Sequence, residues 1–155
     1  MARIVHVLPA TARHAAEMAP HLRSADRAEV LALTGLDPAA ALEQARAASI
    51  EAWTGFVDGV PAAMWGLSVL SIAGGEAQPW CLTTALVERV PKQFLRLSRA
   101  WVERIAADYA VLRNAVDPRY AKSVRWLEWL GFTLGPVLPI GAGGARVRRF
   151  ERVRS

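Results

Sequence analysis

The sequence has very little cysteine and no long uninterrupted apolar run. Cys81 is the single cysteine among 155 residues, so no disulfide framework can form within the chain, and synthesis in a reducing cytoplasm is expected. The longest apolar stretch, residues 60–75, is interrupted by glycine and proline and is shorter than the roughly 20 residues of a membrane-spanning helix. Residues 1–18 lack the features of a secretory leader. These absences predict a cytoplasmic protein with no membrane span.

The composition is that of one folded domain over residues 1–155. Hydrophobic residues make up 53% and charged residues 21%, which excludes a disordered or low-complexity chain. The net charge is +5, and residues 145–155 hold five arginines against one glutamate. Such a segment suits an acidic partner or a phosphate backbone, but an arginine-rich, solvated strand is the favoured explanation. Without interleaved aromatics or a nucleic-acid motif, nucleic-acid binding is not expected.

Turn signals and apolar periodicity predict seven strands and four helices. Asp58-Gly59 between two apolar runs predicts a tight hairpin, because both central positions of a type I′ turn need positive φ. Asp37 followed by Pro38 predicts a helix start. The predicted strands are 4–8, 50–57, 60–70, 79–84, 111–116, 132–135 and 145–153, and the predicted helices are 12–23, 38–49, 91–105 and 122–130. This order predicts a mixed α/β (α+β) fold rather than a doubly wound one.

The carboxyl half carries a pattern that resembles a known superfamily. The strand 111–116, the short amphipathic helix 122–130 and then Leu130-Gly131-Phe132 resemble the corresponding part of the GNAT N-acetyltransferases. The resemblance implies a mixed central sheet of about six to seven strands flanked by about four helices, with the short helix beside the pantetheine arm of the cofactor. Gly131 suits the left-handed conformation that ends a helix.

A narrower resemblance covers four segments of the chain. Residues 22–30, 51–66, 91–105 and 123–132 are similar to a small group of bacteriophage proteins with a GNAT-like fold, the internal virion or assembly proteins of short-tailed phages. This implies that the partners are other phage structural proteins or further copies of the chain. It also implies a location in the host cytoplasm, with association to the virion left open.

The segment that would bind the cofactor's pyrophosphate departs from the superfamily pattern. Active GNAT enzymes read Arg/Gln-x-x-Gly-x-Gly/Ala there, and backbone amides at a helix start hold the phosphates. The corresponding residues 83–94 contain no glycine. Val87, Val90 and Pro91 are expected to obstruct the approach of phosphate to the backbone, and proline also lacks an amide donor.

The resemblance still marks residues that would contact acetyl-CoA if it binds. Arg89 and Lys92 can supply charge through their side chains, which is a weaker grip than a row of amides. The candidate cofactor-binding residues are therefore Arg89, Lys92, Gln93 and Ser123.

The residues for acid and base catalysis are also irregular. The tyrosine that often protonates the departing thiolate corresponds to Leu127, which has no proton to give. Tyr120, at the usual asparagine position, is the substitute candidate acid, although a capping or surface tyrosine is the commoner case. Glu29 is the candidate base within the charged group that it forms with Asp26 and Arg27. The alternative for this group is a solvated turn with weak ion pairs.

The remaining histidines and the cysteine point to no metal site or nucleophile. His14 and His21 have no cysteine or carboxylate partner at metal-ligand spacing, so they are expected on the surface and no metal is predicted. Cys81 lies in an apolar strand without a nearby histidine, which favours an unreactive buried thiol.

Trp126 and Trp129 are the candidate interface residues. On a helix they project about 60° apart, so both are hard to bury against one layer. Exposed tryptophans are favoured interface anchors, and we expect at least one of the two to contact a partner.

Two functions are favoured, and a basic nucleic-acid-binding module is kept as a third, minority hypothesis. The first is a phage virion or morphogenesis protein with a degenerate acetyl-CoA site that acts through protein contacts. The second is an active acetyl-CoA-dependent N-acetyltransferase with a small-molecule acceptor.

Overall fold

The structure, a computed structural model, describes residues 2–140 and 145–155. Within these residues the α-helices are α1 (Ala12–Met18), α2 (Ser24–Thr34), α3 (Pro38–Ala48), α4 (Pro91–Asp108) and α5 (Ala121–Trp129). Short 3₁₀ turns cover Ala19–His21 and Ala85–Arg89. The strands are β1 (Val5–Pro9), β2 (Glu51–Val57), β3 (Val60–Ser71), β4 (Glu76–Thr83), β5 (Val111–Val116), β6 (Thr133–Ile140) and β7 (Ala145–Val153).

The strands form one mixed sheet in the order β1-β2-β3-β4-β5-β7-β6. β1 pairs with β2, β2 with β3, β5 with β7 and β6 with β7 in antiparallel fashion. β4 and β5 run parallel and are paired at Glu76–Val111 and Ala77–Leu112, near the start of both strands. The predicted mixed α/β fold with a central sheet of about seven strands is confirmed.

Local signals placed several elements correctly. Thr11 caps α1, where its hydroxyl accepts from the His14 N–H at 3.2 Å. The Asp37 carboxylate accepts from the Ala40 N–H at 2.9 Å and caps α3. Asp58 has φ +49° and continues into a glycine at φ +80°, as the tight hairpin between β2 and β3 requires.

One helix was not predicted, and several predicted boundaries were wrong, among them the ends of α1, α4 and β6 and the start of β4. The chain between α1 and α3 is a further helix, α2, where the sequence predicts a connecting segment, so the described residues hold five α-helices rather than four. β6 also continues to Ile140, past the predicted end at 135. The sequence predicts a glycine- and proline-rich connection between the last two strands. Residues 141–144 of this connection lie outside the described residues.

The chain divides into two compact units. The first comprises residues 2–68 with Pro79–Leu97, and the second comprises Val69–Gln78 with residues 98–140 and 145–155. The prediction of a single domain over residues 1–155 stays a prediction.

The first unit has two buried clusters. The cluster among α1, α2, α3 and the sheet contains Ala15, Met18, Ala19, Leu22, Val30, Ala41, Leu42, Met64 and Leu82. The other contains Val57, Ala62, Ala63, Val87 and Val90, with Val5, Trp65, Leu86 and Phe94 packed against it. The second cluster matters for function because it includes residues of the segment between β4 and α4.

The second unit buries one face of α4 and α5 together with its strands. Its buried apolar residues are Ala77, Val102, Ile105, Ala106, Leu112, Val116, Leu127, Leu130, Phe132, Val147 and Phe150. Phe132 and Phe150 meet edge to face, with ring centroids 5.0 Å apart. Their contact joins the start of β6 to β7.

Candidate functional site

Asp26 on α2 is a buried carboxylate with partners in the same unit. It is 7% exposed and accepts hydrogen bonds from Arg23 Nε at 3.0 Å and from Thr83 Oγ1 at 2.8 Å. The Arg23 N–H also donates to the Thr83 carbonyl at 3.0 Å. A buried carboxylate is costly unless it is paired and hydrogen-bonded, and here it is both. The cluster fastens the start of α2 to the end of β4, so the expected solvated turn was wrong for Asp26.

The other two charged residues of this group differ in their surroundings. Arg27 Nη2 donates to the Pro20 carbonyl at 3.0 Å, which ties α2 to the 3₁₀ turn before it. Glu29 is half-buried on α2. Its role as a general base stays a prediction, whereas Asp26 and Arg27 are used by the fold.

Cys81 on β4 is half-buried. Burial, reinforced by the nearby Asp26 carboxylate, raises the pKa of its thiol to about 12. A thiol with such a pKa carries almost no thiolate near neutral pH, and thiolate is the nucleophilic form. The position therefore suits an unreactive thiol.

The backbone of the β4–α4 junction is already hydrogen-bonded to itself. In the 3₁₀ turn, Leu86 N–H donates to Thr84 Oγ1 at 3.3 Å and Val87 N–H donates to the Thr84 carbonyl at 3.4 Å. Val90 N–H donates to the Val87 carbonyl at 3.1 Å, and the Val90 carbonyl accepts from Phe94 N–H at 2.9 Å. The amides of Leu86, Val87 and Val90 are thus engaged within the junction.

The side chains of this junction are part of the core. Val87 is 7% exposed and Val90 is 4% exposed, and both pack in the cluster with Val57, Ala62 and Ala63. A GNAT pyrophosphate loop instead presents glycine amides to the ligand. Pro91, the first residue of α4, has no amide hydrogen to offer. The residues present do not fit a backbone cradle for pyrophosphate.

The predicted cofactor-binding residues Arg89, Lys92 and Gln93 lie together at this junction. Arg89 and Lys92 are exposed, and Gln93 is half-buried in the first turn of α4. The two charged side chains can attract an anion, whereas the Phe94 N–H in the first turn of α4 is already bonded to the Val90 carbonyl. Ser123, the fourth predicted residue, is half-buried on α5 in the second unit.

Tyr120, the candidate acid, stands at the start of α5. It is half-buried, and its N–H donates to the Asp117 carbonyl at 3.3 Å. The Arg119 guanidinium lies 5.6 Å from the centroid of its ring. The same guanidinium hydrogen-bonds the buried Asp117 carboxylate and holds its pKa below the usual range. Tyr120 belongs to a tight turn that begins the helix, and its catalytic role stays a prediction.

Leu127 occupies the position that the resemblance gives to the catalytic tyrosine. It is 6% exposed and lies among the buried residues of the second unit. Its side chain is part of the packing of α5 and has no group that can transfer a proton. The described chain therefore lacks a proton donor at this helix position.

α5 ends in a glycine-dependent cap. Gly131 has φ +94°, its N–H donates to the Glu128 carbonyl, and the Phe132 N–H donates to the Leu127 carbonyl, both at 3.0 Å. This pair of bonds is the Schellman motif, which needs a left-handed residue where Gly131 stands. The expectation for Gly131 is confirmed, and the cap turns the chain into β6.

Arg152 on β7 secures this helix end. Its Nη1 donates to the Leu130 carbonyl at 3.0 Å, and its two Nη atoms contact the carboxylate oxygens of Glu103 on α4 at 2.9 and 3.1 Å. These bonds hold the pKa of Glu103 below its usual range. One guanidinium thus ties α5, α4 and β7 together.

The two tryptophans of α5 have different surroundings. Trp126 is half-buried and donates through Nε1 to Ser98 Oγ on α4 at 3.3 Å. Trp129 is 41% exposed, and the Arg99 guanidinium lies 4.2 Å from its ring centroid. Contact with a partner stays a prediction for both residues.

Other kinds of site have no support among the described residues. In residues 2–140 and 145–155, no three His, Cys, Asp or Glu side chains are grouped so that they could hold a metal ion. His14 is half-buried rather than a surface residue, and its Nδ1 lies 3.0 Å from Thr54 Oγ1. None of the described helices has both the length and the apolarity to cross a membrane.

The sequence did not predict the long-range hydrogen bonds that Asp26 and Arg152 make. Asp26 and Thr83 are 57 residues apart, and Arg152 and Glu103 are 49 apart, so no local spacing connects them. A signal did exist for α2 itself. Gly35, with φ +69°, follows Thr34 as a left-handed helix terminator, and the pattern Thr-Gly marks the end of that helix.

Solved structures of GNAT acetyltransferases match nearly the whole chain. A GNAT-family acetyltransferase from Streptococcus pneumoniae is 15% identical with a TM-score of 0.65, covering 98% of this chain and 100% of that one. Ard1 from Thermoplasma volcanium is 14% identical with a TM-score of 0.74, covering 97% and 98%. The aminoglycoside acetyltransferase AAC(6')-Ib, solved with ribostamycin and coenzyme A, is 17% identical with a TM-score of 0.67, covering 97% and 93%.

The comparisons define a fold. No family model matches this sequence, and no curated protein sequence matches it. Together with the strand order and the Schellman cap after α5, the solved structures identify the GNAT fold. The predicted GNAT-like fold is confirmed.

Proposed function

We propose that this chain is a GNAT-fold protein that has given up acetyl transfer and works by contacting other proteins. The observation that carries the proposal is the β4–α4 junction. Val87 and Val90 are buried there, and their amides donate to carbonyls of the same junction. The side chains of this segment pack in the core, and its amides are hydrogen-bonded within the segment. Those amides are therefore not available to bind a pyrophosphate.

The second unit supports the same proposal. Leu127 is a core residue where a general acid is expected, and Tyr120 belongs to the turn that starts α5. Loss of both the phosphate cradle and the proton donor leaves the scaffold without the two parts that the chemistry uses most. An exposed Trp129 offers an anchor for protein contact instead.

In its finer form the proposal is a role in a phage virion or in its morphogenesis. It is supported by the resemblance of residues 22–30, 51–66, 91–105 and 123–132 to phage internal virion and assembly proteins. The partners would be other phage structural proteins or further copies of this chain, met in the host cytoplasm and retained in the particle. Mass spectrometry of purified particles should find the chain. Its absence, together with a normal particle yield when its gene is deleted, would contradict this role.

The experiment that tests the loss of acetyl transfer is a calorimetric titration of the purified protein with acetyl-CoA. We expect no heat beyond that of dilution for wild type, Arg89→Ala and Lys92→Ala, because the junction has no cradle for the ligand. Binding in the micromolar range that either substitution abolishes would overturn the proposal. An unchanged melting temperature of both variants serves as the control for folding.

A second candidate is an acetyl-CoA-dependent N-acetyltransferase with a small-molecule acceptor. It is favoured by the exposed Arg89 and Lys92 at the start of α4 and by the enzymes with which the fold is shared. Attack by an amine on a thioester depends strongly on positioning, so a missing acid lowers the rate without preventing reaction. In this candidate Glu29 takes the amine's proton and Tyr120 protonates the thiolate. Acetyl-CoA binding in the titration would make an acceptor screen the next step.

A further inference from the structure

We infer that α5, with the part of α4 that faces it, forms a docking surface for an acidic protein segment. The surface consists of Arg99, Lys122, Arg125 and Trp129, and we call it the Trp129 surface. The inference rests on the proposed function, because it specifies the chemistry of one partner in those protein contacts. All four residues belong to the second unit.

The centre of the surface is a tryptophan fixed in place and left open. The Trp126 indole, one turn before it, donates to Ser98 at 3.3 Å and holds α5 against α4. Trp129 is 41% exposed under the Arg99 guanidinium, 4.2 Å from its ring centroid. A cation on the ring limits the motion of both side chains, so little entropy is lost when a partner binds.

The surroundings of the tryptophan are cationic. Lys122, Arg125 and Trp129 recur at three- and four-residue steps and therefore share one face of α5, over about 10 Å of helix. Lys122 and Arg125 are both exposed, and within residues 2–140 and 145–155 neither has a carboxylate within ion-pair distance. Together with Arg99, which also interacts with the Glu103 carboxylate one turn along α4, they place three positive charges beside an exposed aromatic ring.

The charge of the whole unit favours the same partner. The first unit holds eight basic and eight acidic residues, whereas the second holds eleven basic and six acidic residues, so the second accounts for the net charge of +5. A surface of one sign attracts a partner of the other and speeds its encounter. Arginine and tryptophan are also the residues most often found at binding hot spots.

An acidic protein segment fits this surface better than nucleic acid does. Binding of single strands uses several aromatic rings along a charged groove of about 4–16 nucleotides, but the described face of α5 offers one exposed ring and about 10 Å of cations. Glu128 is exposed beside Trp129 and would repel a continuous phosphate backbone. A polypeptide can place its carboxylates at Lys122 and Arg125 and avoid that position.

The test uses a fluorescein-labelled peptide of about 12 residues built from Glu-Glu-Leu repeats, followed by fluorescence anisotropy at about 20 mM NaCl, where surface charges are weakly screened. Wild type should bind it, with affinity that falls as salt is added. Arg99→Gln and Arg125→Gln should each weaken binding about threefold, and Trp129→Ala about tenfold. Arg149→Gln removes the same charge from an exposed position on β7 and should change the affinity less than twofold, by about 0.4 kcal/mol or less.

Three results would overturn the inference. They are no peptide binding by wild type, an effect of Arg149→Gln as large as that of Arg125→Gln, and tighter binding of oligothymidylate that depends on Trp129. The two arginine variants keep the test decisive even if Trp129→Ala fails to fold. The acetyl-CoA titration is independent of this assay. Micromolar acetyl-CoA binding that Arg89→Ala or Lys92→Ala abolishes, together with the expected peptide results, would refute the proposed loss of acetyl transfer and leave the docking surface standing.

Discussion

The junction after β4 and the junction after α5 differ in how closely they follow the GNAT pattern. After α5 the pattern Leu-Gly-Phe is intact, and Gly131 takes φ +94° in a complete Schellman cap. After β4 every glycine of the pattern is missing, and Val87 and Val90 are buried in the core. The backbone conformation after α5 requires Gly131, whereas the glycines missing after β4 would serve only to contact a ligand. The backbone after α5 thus depends on a glycine, whereas the junction after β4 is filled by buried valine side chains.

The largest expected effect comes from putting glycine back after β4. Val90→Gly should destabilise the protein by about 2–3 kcal/mol, because it empties a core position that is 4% exposed and adds chain flexibility. Urea denaturation measures this change. Ala85→Gly, at an exposed position of the same junction, is the matched control and should cost about 0.5–1 kcal/mol. Equal destabilisation by the two variants would mean that the junction is not part of the core. The difference between the junctions after β4 and after α5 would then no longer hold.

The next effect concerns the glycine that remains. Gly131→Ala should cost about 1–3 kcal/mol, because a side chain is strained at φ +94° and its Cβ would lie 3.3 Å from the Arg152 guanidinium. Gly35→Ala is the control, since Gly35 has φ +69° with nothing within 4 Å of the added carbon. Gly131→Ala should destabilise the protein more than Gly35→Ala does. This difference in the free energy of unfolding should disappear when Gly131→Ala is introduced into the Arg152→Met background. A difference that persists in the Arg152→Met background would mean that the strain comes from the backbone conformation alone.

The smallest expected effect is the pH dependence of the tie between Arg152 and Glu103. The pKa of Glu103 is lowered in the folded protein by its bonds to Arg152, so the tie stabilises above the ordinary glutamate pKa and is lost as pH falls through the lowered value. The difference in melting temperature between wild type and Arg152→Met should therefore shrink from pH 7 to about pH 3. In the Glu103→Gln background this change should vanish. A difference that stays constant with pH would assign the stabilisation to the Leu130 carbonyl alone.

The sequence was sufficient for elements that carry their own local signals. Asp37-Pro38, Asp58-Gly59 and Gly131 each fix a turn or cap through one residue's backbone, and all three were placed correctly. α2 was missed because its pattern is weak. Its first residue follows Arg23, which makes no side-chain cap, and two of its leucines, Leu31 and Leu33, are exposed.

The candidate site was less predictable because its decisive contacts are distant in sequence. The pairing of Asp26 with Thr83 depends on where α2 crosses β4, and no motif within either segment reports it. The missing glycines after β4 were visible in the sequence, but the burial of Val87 and Val90 was not, since an obstructing side chain and a core side chain look alike there. Trp126 and Trp129 were named together as hard to bury; Trp129 is the more exposed of the two, and its contact with the Arg99 guanidinium was not visible in the sequence.

The thiol of Cys81 has a practical consequence for following these contacts in solution. With its pKa raised to about 12, the native thiol carries far less thiolate at pH 7 than an ordinary surface cysteine, which carries a few per cent. A maleimide dye should therefore react with an introduced cysteine, such as Ile72→Cys at a position 91% exposed, long before it reacts with the native one. The wild-type background can be used for single-site fluorescent labelling without removing its own cysteine.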